Sequence, residues 1–278
     1  MALVYVHRAC PGGRMKVDKE YFLSQAGFSV RVVFKPTEFG YAQKVLISSF
    51  QKAWAGFLSR RSKKVDFTVV VSSKAGGKEI LVRDGGRRYY YLTYTRDFAH
   101  GKIDTYYTVN LRGLDLLFRE IFAFLIRKDG FLLHASSVVD RKGALSVFMA
   151  RSGGGKTTTA SLYKGGGYYK FGDDIILVRK MSGRWKFFSP PFIEKNSIPR
   201  KNQASRAKFY IVKKTLKPNL ALIKEKKVLL PFLLGQIWLN RGTLEKPVLK
   251  TALLFLMENN FSELGVVLNG RKMRKIIK

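Results

Sequence analysis

The chain has 278 residues, 46% of them apolar and 26% charged, the balance of a folded globular protein rather than a disordered one. Lys and Arg number 52 against 19 Asp and Glu, a formal net charge of +33, so an anionic partner is expected: a nucleotide, an acidic protein or peptide, or a polyanion. A single cysteine, Cys10, excludes a disulfide framework and a cysteine zinc cluster, which fits a reducing, cytoplasmic compartment.

In chain order, MALVYVHRACPGGRMKVDKE lacks a sustained apolar stretch, so no signal peptide is expected. Phe28 to Phe34 has strand composition. From Gln43 to Leu58, the residues Leu46, Phe50, Trp54, Phe57 and Leu58 fall on one helical face. Strands are expected over Asp66 to Ser72, on both sides of the Asp84-Gly85-Gly86 turn signal, and over Asp104 to Leu111. Leu114 to Ile126 is apolar nearly all round, the pattern of a buried helix. The character changes near Arg127, so two regions are expected: a smaller α/β region over 1–126 and a second domain over 127–278.

In the second region FLLHASSVV and ALSVFMA read as two strands of a hairpin around Asp140 to Gly143, which would bring His134 beside the strand that feeds the next loop. That loop is the informative segment, ARSGGGKTTTA. Glycines bend the chain, and backbone N–H groups and a helix N-terminus hold phosphates. A lysine reaches the terminal phosphates and a hydroxyl holds Mg²⁺. Here Gly153, Gly154 and Gly155 supply the bend, Lys156 the ammonium and Thr157 the hydroxyl, with Arg151, Ser152 and Thr158 beside them. Ala150 departs from the usual glycine at the strand exit, where a methyl group is tolerable if φ is negative. Asp173 and Asp174 follow 17 and 18 residues after Lys156, at the start of a strand. Adjacent carboxylates there can divide labour, one on Mg²⁺ and one as base. Gly165 to Gly167 separates these motifs. Val228 to Leu239 is apolar but interrupted by Pro and Gly, and too short to span a bilayer. Val248 to Asn259 reads as a buried helix. The segment Lys195 to Lys227 holds eleven Lys or Arg and one acid.

LHASSVV, ARSGGGKTT and YYKFGDDIILV together resemble the catalytic domain of HPr kinase/phosphorylase and its HPr kinase-like relatives, specifically over Phe131 to Arg179. SPPF and SELGVVLN look like further elements of those relatives. The resemblance implies a phosphoenolpyruvate-carboxykinase-like fold, a P-loop core on a mixed, largely β sheet, and a homo-oligomer. It implies a phosphotransferase using ATP and Mg²⁺: Lys156 and residues 151–158 on the phosphates, Thr157 and Asp173 on Mg²⁺, and Asp174 as general base. His134 would support the acidic pair or the transferring phosphate. The E-x-R-G-x-G run of HPr kinases has no counterpart in PPFIEKNSIPRKNQ, so the expected acceptor is another Ser/Thr hydroxyl of a protein or peptide. A small alcohol, carboxykinase-like chemistry, and a catalytically weak module binding nucleic acid through its basic surface are the alternatives. The aromatics do not interleave regularly with the basic residues, which disfavours nucleic acid.

Overall fold

The computed structural model describes residues 18–37, 40–59, 61–62, 64–72, 78–84, 87–106, 110–163, 166–192, 202–239 and 245–277. Strands β1 (Lys19–Gln25) and β2 (Phe28–Phe34) form a hairpin whose turn, Ala26-Gly27, has φ of 54° and 82°, the left-handed pair that matches strand twist. Helix α1 (Gly40–Trp54), the short β3 (Leu58–Ser59) and β4 (Phe67–Ser72) follow. Phe57 and Leu58, expected at the end of α1, lie beyond it: the helix stops at Trp54, and Leu58 pairs with Leu23 of β1. β5 (Lys78–Asp84) and β6 (Arg87–Asp97) pair antiparallel on either side of Gly85-Gly86, which lie outside the described residues. β7 (Lys102–Tyr106) completes a seven-stranded sheet of order β3-β1-β2-β4-β7-β6-β5. Helix α2 (Leu111–Ile126) is capped by the Asn110 side chain, which accepts from the Gly113 amide.

The remaining elements are β8 (Gly130–His134), β9 (Ser136–Asp140), β10 (Ala144–Met149), α3 (Lys156–Tyr163), β11 (Tyr168–Gly172), β12 (Ile175–Met181), β13 (Arg184–Phe188), β14 (Gln203–Ala204), β15 (Arg206–Lys214) and β16 (Asn219–Leu222). A 3₁₀ turn over Lys226–Leu229 leads to α4 (Leu230–Leu234), β17 (Ile237–Trp238), α5 (Lys246–Glu258), β18 (Phe261–Val266) and α6 (Gly270–Arg274). They build a six-stranded sheet, β11-β9-β10-β15-β18-β16, and a five-stranded sheet, β14-β13-β12-β8-β17. The described residues thus form a mixed α/β fold of three largely β sheets and six α-helices. None of those helices is long and apolar enough to cross a membrane.

Three cores explain the apolar runs. The first joins the inner face of the seven-stranded sheet and helices α1 and α2 to Leu132, Ile175, Leu177, Phe188 and Phe192, so residues on both sides of position 126 build it. The second takes Phe131, Leu133, Ile176 and Val178 together with Leu145, Val147, Met149, Phe209 and Phe255. β8 and β12 therefore bury both faces, which is why FLL and IILV read as continuous rather than alternating apolar runs. The third core packs α3 and α6 on the outer face of the six-stranded sheet through Phe148, Tyr163, Tyr210 and Met273. Helix α5 is half-buried: Phe255 and Ala252 are inside, whereas Met257 and Leu253 are exposed.

The expected hairpin around His134 takes a different form. FLLHASSVV breaks at Ala135 into β8 and β9, which belong to different sheets. β9 pairs antiparallel with β10 as expected, but β8 pairs with β12, so His134 stands opposite Ile175 and not beside the loop-feeding strand. The Ala135 amide donates to the Asp174 carbonyl, 3.1 Å away, at the point where the chain changes sheets. Composition could not show this, since both halves of the run are equally good strand formers.

Candidate functional site

β10 drives the glycine-rich loop out of the six-stranded sheet, and α3 starts directly behind it. Gly153 and Gly155 hold φ of 73° and 92°, which side-chain-bearing residues rarely adopt. Gly154 is required for a different reason. A Cβ there would lie 2.6 Å from the Ala150 Cβ and 2.9 Å from the Arg151 carbonyl oxygen. The methyl group of Ala150 is buried at the base of the loop and occupies the space that a larger residue at 154 would need. The first-turn amides of α3 have no intrahelical acceptors and carry the positive end of its dipole.

Lys156 is buried, its Nζ donating to the Ala150 carbonyl oxygen at 2.9 Å. Burial lowers its pKa, and the carboxylate of Asp174 partly offsets that. The Gln236 side chain, oriented with its amide nitrogen inward, donates to the same Ala150 oxygen at 2.9 Å and to the His134 carbonyl oxygen at 3.3 Å. The base of the loop is thus tied to both β8 and the approach to β17.

A bend at Asp173-Asp174 separates β11 from β12 and delivers the two carboxylates to the loop. Their surroundings differ. The Asp173 side chain is only 11% exposed and meets the Lys170 Nζ at 2.9 Å. The Asp174 side chain is 55% exposed, with Oδ1 3.1 Å from His134 Nε2 and Oδ2 3.0 Å from Arg119 Nη1. The His134 hydrogen bond, followed by that of Arg119, holds the Asp174 carboxyl well below the usual carboxylate range against the opposing effect of burial. Ser136 Oγ donates to the Asp173 carbonyl oxygen and lies 3.3 Å from Thr157 Oγ1, so one hydroxyl links the acidic bend to the start of α3.

Arg119, Asp115, Ser136, Lys170 and Gln236 were not among the residues expected from sequence. Arg119 and Asp115 sit one turn apart on α2, with Arg119 Nε 3.1 Å from Asp115 Oδ2. The Arg119 guanidinium also lies 5.1 Å from the Phe192 ring centroid and 5.4 Å from that of Trp238. Two opposite charges spaced i,i+4 on a helix that buries most of its residues were the available signal. Phe192, from the SPPF stretch, serves as a wall beneath Arg119.

His134, residues 152–158, Asp173 and Asp174 line one cavity of about 390 Å³. Every expected site residue lines it except Arg151, which is exposed and contributes only its carbonyl, accepting from the Gly154 amide at 2.9 Å. Among the described residues no group of three His, Cys, Asp or Glu gathers as a metal cage. Mg²⁺ needs no such cage when substrate phosphates and waters complete its octahedron around one or two protein oxygens. Thr157 and Asp173, both lining the cavity, are the residues that could meet that requirement. The described part of the basic segment runs from β14 through β15 and β16 to the 3₁₀ turn, with its Lys and Arg on β15, in the loops at 217 and 224, and on the 3₁₀ turn; residues 195–201 lie outside the described residues. His7 and Cys10 do so as well. No protein-family model matches the chain, and no curated protein matches it.

Proposed function

We propose that the chain is an ATP- and Mg²⁺-dependent phosphotransferase of the HPr kinase-like type, with a P-loop core. It transfers the γ-phosphoryl group to a Ser/Thr hydroxyl of an acidic protein or peptide. The observation that carries this reading is the convergence of the glycine loop, Lys156, the acidic bend and His134 on one cavity. Few other ligands use a nest of backbone amides, an ammonium and a helix N-terminus together.

The loop amides and Lys156 bind the β- and γ-phosphates. Lys156 already spends its proton-bearing end on a carbonyl, so phosphate replaces one acceptor by a more strongly charged one. Thr157 and Asp173 are the residues that would hold Mg²⁺, which would supply neutralisation of the phosphates' charge. Asp174 accepts the acceptor hydroxyl's hydrogen bond and aims its oxygen at the γ-phosphorus. The new O–P bond forms as the β,γ-bridging bond breaks, ADP leaves, and the hydroxyl proton passes to Asp174. A carboxylate held this far below its usual range is a weak base. Its main contribution is orientation, with proton transfer late, as a loose phosphoryl-transfer transition state allows. His134 and Arg119 fix its two oxygens.

The test uses γ-labelled ATP, Mg²⁺ and a protein extract. The wild type should label a discrete protein on Ser or Thr, and Asp174→Asn should retain ATP binding while labelling falls by about 10²-fold or more. Equal labelling by the two would remove Asp174 from the chemistry, and failure of the wild type to bind Mg·ATP would end the reading.

A further inference from the structure

The phosphate cavity accounts for only one side of the glycine loop. β10, β15 and β18 are parallel neighbours, so their carboxyl ends open on one edge of the six-stranded sheet, the edge where ligands settle in open α/β sheets. A second cavity of about 670 Å³ lies there, walled by Gly153 to Gly155 and Thr158, with the buried Val212 and Val266 as its floor. Its lips are Leu216 and Leu268, 99% and 84% exposed. They follow β15 and β18 by two residues each, beyond the last pair of the ladder, Lys214 and Val266.

Two leucines in full contact with water at the mouth of an apolar cavity forgo the free energy of burial. Their positions are not slack. The Thr215 amide donates to the Val266 carbonyl oxygen at 3.1 Å, and Thr215 Oγ1 donates to that of Lys217 at 2.9 Å. On the other lip, the Asn269 amide donates to the Val267 carbonyl oxygen at 2.7 Å, and the Asn269 side chain caps α6 by accepting from the Lys272 amide. Both leucines are therefore presented by tied turns.

We infer that this cavity is the nucleobase subsite: the flat ring of a purine nucleoside triphosphate enters between Leu216 and Leu268 while its phosphates lie on the glycine loop. The inference rests on the phosphate-binding reading and extends it. The shared wall sets the connectivity, because a ligand leaving the loop on the side away from Asp174 meets this cavity next. A second copy of the chain is a poor occupant, since each brings a net charge of +33. Two of the three hydroxyls on the wall are already engaged, Thr159 Oγ1 donating to the Gly155 carbonyl oxygen and Thr215 Oγ1 to that of Lys217, and the one charged side chain on it, Lys214, is exposed. The base is held by its apolar faces rather than read along its edge, so adenine and guanine are discriminated weakly.

Calorimetry on the full chain with Mg²⁺ and ATP, GTP or inorganic tripolyphosphate separates the two readings. The wild type should bind ATP and GTP within about threefold of each other, and both about tenfold or more tightly than tripolyphosphate. Leu216→Ser/Leu268→Ser, at two exposed positions, should keep the wild-type melting temperature. It should bring ATP down to the level of tripolyphosphate and leave tripolyphosphate unchanged. Tripolyphosphate binding as tightly as ATP, or a variant that keeps the ATP advantage, would overturn the subsite and leave the phosphate site standing. Tenfold preference for one purine would overturn recognition by the ring faces. Absence of binding by all three ligands would end the phosphate reading, and the subsite with it.

Discussion

Arg119→Leu is expected to destabilise the protein far more than a surface charge change would. Asp115 is completely buried on α2, and Arg119 beside it is 4% exposed. Removing the guanidinium takes away the buried charge partner of the Asp115 carboxylate, and breaking a buried pair in this way costs about 3–5 kcal/mol. Arg112, exposed and 3.5 Å from Asp115 Oδ2, keeps part of the attraction, which sets the expectation near the lower end, about 3 kcal/mol. The lost bond to Asp174 adds less than about 1 kcal/mol, because that carboxylate is half-exposed and solvent screens it. At about 2–4 °C per kcal/mol for a chain somewhat under this size, the melting temperature should fall by roughly 6–12 °C. Urea and thermal melts followed by circular dichroism measure this directly. Asp115→Leu/Arg119→Leu removes both buried charges and should recover more than half of the loss. A single-variant loss under about 1 kcal/mol, or a double variant no better than the single, would refute the reasoning.

Lys156→Ala should weaken Mg·ATP binding by roughly 2 kcal/mol, measured by titration calorimetry, since one charge-assisted contact is lost while the amide cradle remains. Gly154→Ala should impair nucleotide binding through its clash with Ala150, and Ala150→Gly in the same chain should restore part of it; no rescue would mean that the Arg151 carbonyl sets the limit. Asp174 carries a depressed pKa, so its ion pairs contribute stability above the ordinary carboxylate value, about pH 4, and lose it as the pH falls through the lower folded value. The stability difference between wild type and Asp174→Asn in urea should therefore be flat from pH 6 to about 4 and vanish below; a difference that grows on acidification would contradict the geometry. If the basic segment steers an acidic acceptor, the acceptor KM should rise steeply with salt while the ATP KM changes little, and Arg206 and Lys208 on β15 are the described positions to neutralise first.

Local chemistry was legible in the sequence and long-range pairing was not. The strand, three glycines, lysine and helix of residues 144–163 are consecutive, so their geometry follows from nearest neighbours alone. The acidic bend was legible because two adjacent charges interrupt an apolar run. His134 was found as a residue but misplaced, because Ala135 changes sheets through a bond to Asp174, 39 positions away. Arg119 was hidden for the same reason: α2 reads simply as buried, and only the tertiary fold reveals that its charged face meets the acidic bend. The exposed side of α5 was misread as core because Leu253 and Met257 are as apolar as the residues that do pack.

The first core has a consequence for how the chain is made. Arg119 leaves the ribosome 55 residues ahead of Asp174, its partner in the acidic bend. At roughly 5–20 residues per second that is an interval of about 3–11 s. During it α2 exposes an apolar face and a charge pair whose third member does not yet exist. Leu132 arrives soon after α2, but Ile175, Leu177, Phe188 and Phe192 come later still, so the core of the first 126 residues closes only when most of the glycine-loop region has been synthesised. From the emergence of α2 until that of Phe192, the nascent chain carries that surface unfinished.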